Sequence, residues 1–162
     1  MTVAERGFAV AALLESAQWR IEPLPPAVLG DLGVLLSALR SQPPEGGPFV
    51  IACVEDEFFM IARQDGRRIQ LLLSDLTAAV EFPLAEQAIA RLGEEPPADE
   101  ELDEVWPVGD LDLFADLGLS EEEMEDILDD LDLLPEEMLE AIMERLELGE
   151  PYRRAIEAAW VR

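Results

Sequence analysis

The 162 residues contain no histidine, no lysine and a single cysteine. Those absences remove most of the side chains that proteins use for proton transfer near neutral pH, Schiff-base formation or soft-metal ligation. One cysteine cannot form a disulfide within the chain, so no oxidising compartment is implied. Cys53 sits in the apolar run Phe49-Val50-Ile51-Ala52-Cys53-Val54 with no histidine to activate it, and it is expected to pack as a small hydrophobe. No apolar run approaches the roughly 18 residues that a membrane helix requires. The run Phe8 to Leu14 has the length of a short signal-peptide core, but Glu5 and Glu15 bracket it and offset Arg6, so a cytoplasmic protein is expected.

Acid is abundant. The net charge is −26, and 25 of the 37 acidic residues follow Gly93, against four arginines there. Such a chain repels phosphate backbones and anionic lipid, which disfavours nucleic acid as a direct ligand and membrane as a surface. The same long-range field attracts a basic protein surface. Carboxylates are so numerous that none stands out as an acid–base pair, and a non-enzymatic binding protein with no cofactor is expected.

Up to Gly93 the pattern alternates between strand and helix. Phe8 to Glu15 and Trp19 to Glu22 read as a hairpin stopped by Pro23, and Val28, Leu29, Leu32, Leu35, Leu36 and Leu39 recur at helical spacing, with Gly30 and Gly33 tolerated inside that helix. Phe49 to Val54, Phe58 to Ala62 and Ile69 to Leu73 form a meander whose second turn carries Asp65-Gly66. Asp75 to Gly93 returns to helix, with Ser74 as N-cap and Pro83 as a kink or break. The expected fold is α+β: an antiparallel sheet with helices in the order β-β-α-β-β-β-α. That order resembles the longin and roadblock group of small sheet-and-helix domains, which implies a protein-interaction platform.

Three units are expected: a sheet-and-helix domain over 1–93, an acidic, proline-rich linker over 94–105 and an acidic helical subdomain over 106–162. In the last, Gly109-Asp110 is expected to cap a short helix bearing Leu111, Phe114 and Leu117. Ser120 to Glu123 forms a capping box ahead of an apolar face of Met124, Ile127, Leu128 and Leu131. Pro135 opens a helix striped by Met138, Leu139, Ile142, Met143 and Leu146. The helix after Pro151 presents Tyr152, Ala155, Ile156, Ala159 and Trp160. The methionines suit a core, or a soft groove for a partner helix. Asp110-x-Asp112 begins like a calcium loop, but Phe114 and Ala115 occupy the third ligand and glycine positions, so no metal site is expected.

The stretch Trp106-Pro107-Val108-Gly109-Asp110-Leu111-Asp112-Leu113-Phe114-Ala115-Asp116-Leu117-Gly118-Leu119, preceded by Leu102-Asp103-Glu104, resembles the tRNA adenosine deaminase-associated protein family of high-GC bacteria. The likeness extends through Leu72-Leu73-Ser74-Asp75, Phe82-Pro83-Leu84-Ala85, Asp129-Asp130-Leu131 and Glu136-Glu137-Met138-Leu139. What the resemblance implies is a partner, a tRNA adenosine deaminase, rather than an activity. The deaminase itself is excluded, because its zinc needs one histidine and two cysteines with a glutamate shuttle.

The expected function is therefore that of an accessory protein whose acidic tail meets the basic tRNA-binding face of the deaminase. Trp106, Asp110, Asp112, Phe114 and Asp116 are the candidate contact residues. The alternative is a scaffold or homodimer built through the N-terminal sheet, unrelated to tRNA editing.

Overall fold

The structure is a computed structural model that describes residues 7–98 and 105–160. Glu5, Arg6 and residues 99–104 of the expected linker lie outside the described residues, as does the side chain of Trp160. Among the described residues, six strands form one sheet: β1 (Gly7–Glu15), β2 (Gln18–Pro23), β3 (Phe49–Val54), β4 (Phe58–Asp65), β5 (Arg68–Leu73) and β6 (Val108–Gly109). All neighbours are antiparallel, in the spatial order β2-β1-β3-β4-β5-β6. Five α-helices accompany them: α1 (Leu32–Arg40), α2 (Pro83–Leu92), α3 (Glu121–Leu128), α4 (Pro135–Arg145) and α5 (Gly149–Trp160). The α+β class is the one expected.

β3 is apolar at every position, and β1 and β4 are apolar over most of their length, because both faces of the sheet are covered. Side chains alternate across a strand, so Ala9 and Ala11 of β1, Val50, Ala52 and Val54 of β3, and Phe58, Met60 and Ala62 of β4 point to one side. There they meet Leu32, Leu35, Leu36 and Leu39 of α1 and Leu84, Ala85, Ala88 and Ile89 of α2. Phe8, Val10, Phe49, Ile51, Cys53, Phe59 and Ile61 point the other way, onto Met124, Leu139, Ile142, Met143 and Tyr152 of α3 to α5. The acidic segment thus completes the fold as a third layer. Each large apolar side chain sealed there contributes roughly 1.5–3 kcal/mol. Met124, Met138 and Met143 lie in this core and offer no groove. Burial raises the pKa of the Cys53 thiol.

Several local details differ from expectation, each for a definable reason. Val28 and Leu29 belong to a 3-10 turn (Pro26–Leu29), and α1 starts only after Asp31, whose carboxylate accepts from the amides of Gly33 (2.7 Å) and Val34. Gly30 is therefore outside the helix, and Gly33 lies in its first turn. Ser74 is not a cap: its buried hydroxyl accepts from the Phe59 amide at 2.8 Å, and Asp75 caps the 3-10 turn Leu76–Val80 instead. Pro83 breaks the expected helix, opening α2 at its first position. Leu131 lies beyond the end of α3 and is 78% exposed rather than on its apolar face.

Nor does Gly109-Asp110 cap a helix. Val108 and Gly109 pair with Leu73 and Leu72 as β6, and the Asp110 amide continues the ladder to the Leu71 carbonyl at 2.8 Å. Gly109 has φ +112°, and a Cβ there would come within 2.1 Å of the Leu71 carbonyl oxygen. Gly109→Ala is expected to lower stability by about 2 kcal/mol or more, from backbone strain plus this clash. Gly30→Ala, with open space around it, should leave stability unchanged or raised by up to about 1 kcal/mol. Urea unfolding of the two variants separates these outcomes.

Candidate partner-binding site

The expected contact segment begins where β6 joins the sheet. The Trp106 amide donates to Asp75 Oδ1 (3.2 Å) and its carbonyl accepts from the Leu76 amide (2.7 Å), which fixes the backbone while the residue stays 40% exposed. Asp110 accepts from the Leu71 amide through Oδ2 (2.9 Å) and pairs with Arg68 through Oδ1 (3.3 Å). Its side chain stands in for a strand carbonyl. Beyond it, Ala115–Leu117 forms a 3-10 turn that Gly118 closes in the left-handed region at φ +104°.

Arg63 organises this end of the molecule. It is 4% exposed, and each of its five N–H donors has an acceptor. Nε donates to the Gly47 carbonyl (2.9 Å). Nη1 donates to the Leu113 carbonyl (2.7 Å) and Asp116 Oδ1 (2.5 Å), and Nη2 to the Gly46 carbonyl (2.9 Å) and Asp116 Oδ2 (3.0 Å). The guanidinium carbon also stands 5.8 Å from the centroid of Phe114. One side chain of β4 thereby ties the loop before β3 to the segment after β6. Gly47 is required beside it: φ is +74°, and a Cβ would approach Nη2 to 2.8 Å.

The five expected contact residues consequently separate. Phe114 has no exposed surface and packs edge-on against Phe49, with ring centroids 4.8 Å apart, so its part is to anchor the segment from inside. Asp110 and Asp116 are held by Arg68 and Arg63. Asp112 is exposed with its carboxylate free of hydrogen bonds to the described residues, and with Asp116 it lines a cavity of about 460 Å³ between Gly46-Gly47 and the β4–β5 turn. Trp106 lies apart from that cavity, beside Asp75.

Two features were missed in the sequence. Arg63 had a signal, since Phe59, Ile61 and Arg63 are two apart on a strand and share the inner face. The second feature is which acids of the outer surface are left unpaired. Residues 105–160 hold 18 acids against three arginines. Those arginines pair within the layer, Arg145 with Glu123, Arg153 with Glu140 and Glu144, and Arg154 with Glu150. Glu121, Glu122, Glu125, Asp126, Asp129 and Asp130 stay exposed and outside any ion pair among the described residues. Among those residues no three His, Cys, Asp or Glu side chains gather as a metal-binding group, and no helix is long and apolar enough to cross a membrane.

Residues 7–149 match a family model described as Rv3753c-like tRNA adenosine deaminase-associated protein. Protein Rv3753c of Mycobacterium tuberculosis is 35% identical over 152 residues, which span 93% of this chain and 88% of that protein. No solved structure matches the chain.

Asp116→Ala is expected to destabilise the protein by about 2–3 kcal/mol, because it leaves a buried guanidinium without its counter-charge; the exposed side of the pair keeps the loss below the full buried-pair value. Asp112→Ala should stay within about 0.5 kcal/mol of the parent. Urea midpoints that coincide for the two variants would contradict the role given to Arg63.

Proposed function

Because the chain belongs to the Rv3753c-like tRNA adenosine deaminase-associated family, we propose that it is a non-enzymatic, cytoplasmic accessory protein that binds a tRNA adenosine deaminase directly. Its outer helical layer is the contact surface, and the enzyme's tRNA-binding face is the target. The observation that carries this reading is the excess of exposed acids on α3 and α4 on the side away from the sheet, where Arg145 is the one exposed cation of the two helices. An enzyme that holds tRNA needs a cationic surface to neutralise phosphates. An acidic protein layer is complementary to that surface and attracted to it within about a Debye length. Occupying it would limit access of tRNA to the deaminase.

Of the candidate contacts, Asp112 and Trp106 retain exposed surface for a partner, and the exposed glutamates of α3 extend the area. Phe114 supports the surface from inside, and Asp116, though exposed, is committed to Arg63. The scaffold alternative has less to offer: both sheet faces are covered, and the free edge of β2 carries Arg20 paired with Glu15 and Glu22, charges that discourage strand addition. Removing residues 94–162 is a poor test of it, since that would bare the apolar face under α3 to α5.

Charge reversal on the folded protein is the cleaner experiment. Binding to the deaminase encoded in the same genome should weaken about tenfold or more in Glu122→Arg with Glu125→Arg, and much less in Glu81→Arg with Glu86→Arg on the opposite layer. The parent complex should weaken steeply as salt rises from about 0.05 to 0.3 M. Equal losses in the two double variants, measured by titration calorimetry, would refute the acidic layer as the contact surface.

A further inference from the structure

The geometry points to a specific docking element within that layer: the loop between α3 and α4, with the groove beside it, is a hydrophobic prong in an acidic frame. It is built to enter an apolar patch ringed by arginine or lysine on a partner protein. The proposal rests on the function proposed above for the partner's name, but not for its chemistry.

Leu131 is 78% exposed and Leu134 56% exposed, and they stand three residues apart. Leu134 is also the N-cap of α4, and it makes no side-chain cap. Leucine is among the poorest residues at that position, where Ser, Thr, Asp or Asn satisfies an orphan amide. The same chain caps α1 with Asp31 and α3 with Ser120, through side-chain oxygens. Two other α-helices also start from apolar residues, but Phe82 before α2 is 6% exposed and packs against Phe58 at 5.2 Å between ring centroids, and Leu148 before α5 is 7% exposed, so the core accounts for both. No burial accounts for Leu134.

The rest of the loop compensates locally for that choice. Glu137 Oε1 accepts from the Leu134 amide at 3.0 Å, and Asp56, reaching from the β3–β4 turn, accepts from the Glu136 amide at 3.0 Å. Asp130 accepts from the Asp132 amide at 3.0 Å, and its carbonyl accepts from the Leu133 amide at 3.1 Å. The leucines are thus displayed on an ordered turn, which lowers the entropy cost of docking.

Charge selects the occupant. Asp129, Asp130 and Asp132 alternate with the leucines and have no ion pair among the described residues. Next to the loop, Leu133, Glu137, Glu140, Ala141, Glu144 and Arg145 line an open groove of about 590 Å³, where Glu140 and Glu144 are paired with Arg153 and Glu137 adds an acid outside any ion pair among the described residues. Nucleic acid and anionic lipid are repelled by such a frame. A basic protein segment with an apolar side fits both parts.

The test is a titration of the deaminase with the parent protein, Leu131→Ser, Leu134→Ser and the control Val80→Ser, whose side chain is exposed on the opposite layer. Leu134→Ser supplies the missing cap, so its melting temperature should be equal to or above the parent's while its affinity falls about tenfold or more. Leu131→Ser should lose affinity similarly, and Val80→Ser should not. If the parent binds and both leucine variants bind equally well, the docking element is overturned while the function above stands. If the parent does not bind the deaminase, a photo-cross-linking residue at position 131, compared with one at 80 in native cells, decides the element alone. An adduct at 131 only, on a partner peptide rich in arginine or lysine around apolar residues, and lost in Leu134→Ser, upholds it. No such adduct overturns it as well.

Discussion

A sheet whose central strands are apolar on both faces must be covered twice, and most of this structure follows from that constraint. α1 and α2 seal one face, leaving Phe8, Phe49, Ile51, Phe59 and Ile61 on the other. Among the described residues, the segment after the linker supplies the complementary stripes, from Leu113 and Phe114 through to Ala155. With one side of each helix committed to the core, the acidic residues are directed outward by the 3.6-residue period. Covering the core and displaying charge are therefore consequences of the same pattern.

Arg63 then decides how that cover is fastened. A buried guanidinium must have every donor met, and here the acceptors come from Gly46, Gly47, Leu113 and Asp116, brought together from two parts of the chain. The carboxylates near it divide accordingly into those paired with arginine, Asp110 and Asp116, and those left unpaired among the described residues, such as Asp112. A high count of acids in the sequence does not distinguish the two groups. Their bonding does.

Much of the fold was legible where the pattern had one interpretation. The hairpin of β1 and β2, the meander of β3 to β5 and the starts of the helices opened by Ser120 and Pro135 lie within three residues of expectation. What failed was local competition for hydrogen bonds. Ser74 and Asp75 both suit an N-cap, and only the proximity of the Phe59 amide assigns Ser74 elsewhere. Gly109-Asp110 carries a capping signal, but the free edge of β5 offers the same groups a better ladder. For the site, Asp112 and Trp106 were legible as exposed residues. Phe114 had two readings, as part of an apolar spacing with Leu111 and Leu117 and as a contact residue, and only its packing on Phe49 assigns it to the core.

The central claim is that the acidic layer and tRNA meet the same surface of the deaminase. Fluorescence anisotropy of labelled tRNA on the deaminase, followed as this protein is added, tests it most directly. Displacement of the tRNA, with an apparent affinity that falls in proportion to added tRNA, is the result the account predicts. A ternary complex in which tRNA stays bound at saturating protein would contradict it.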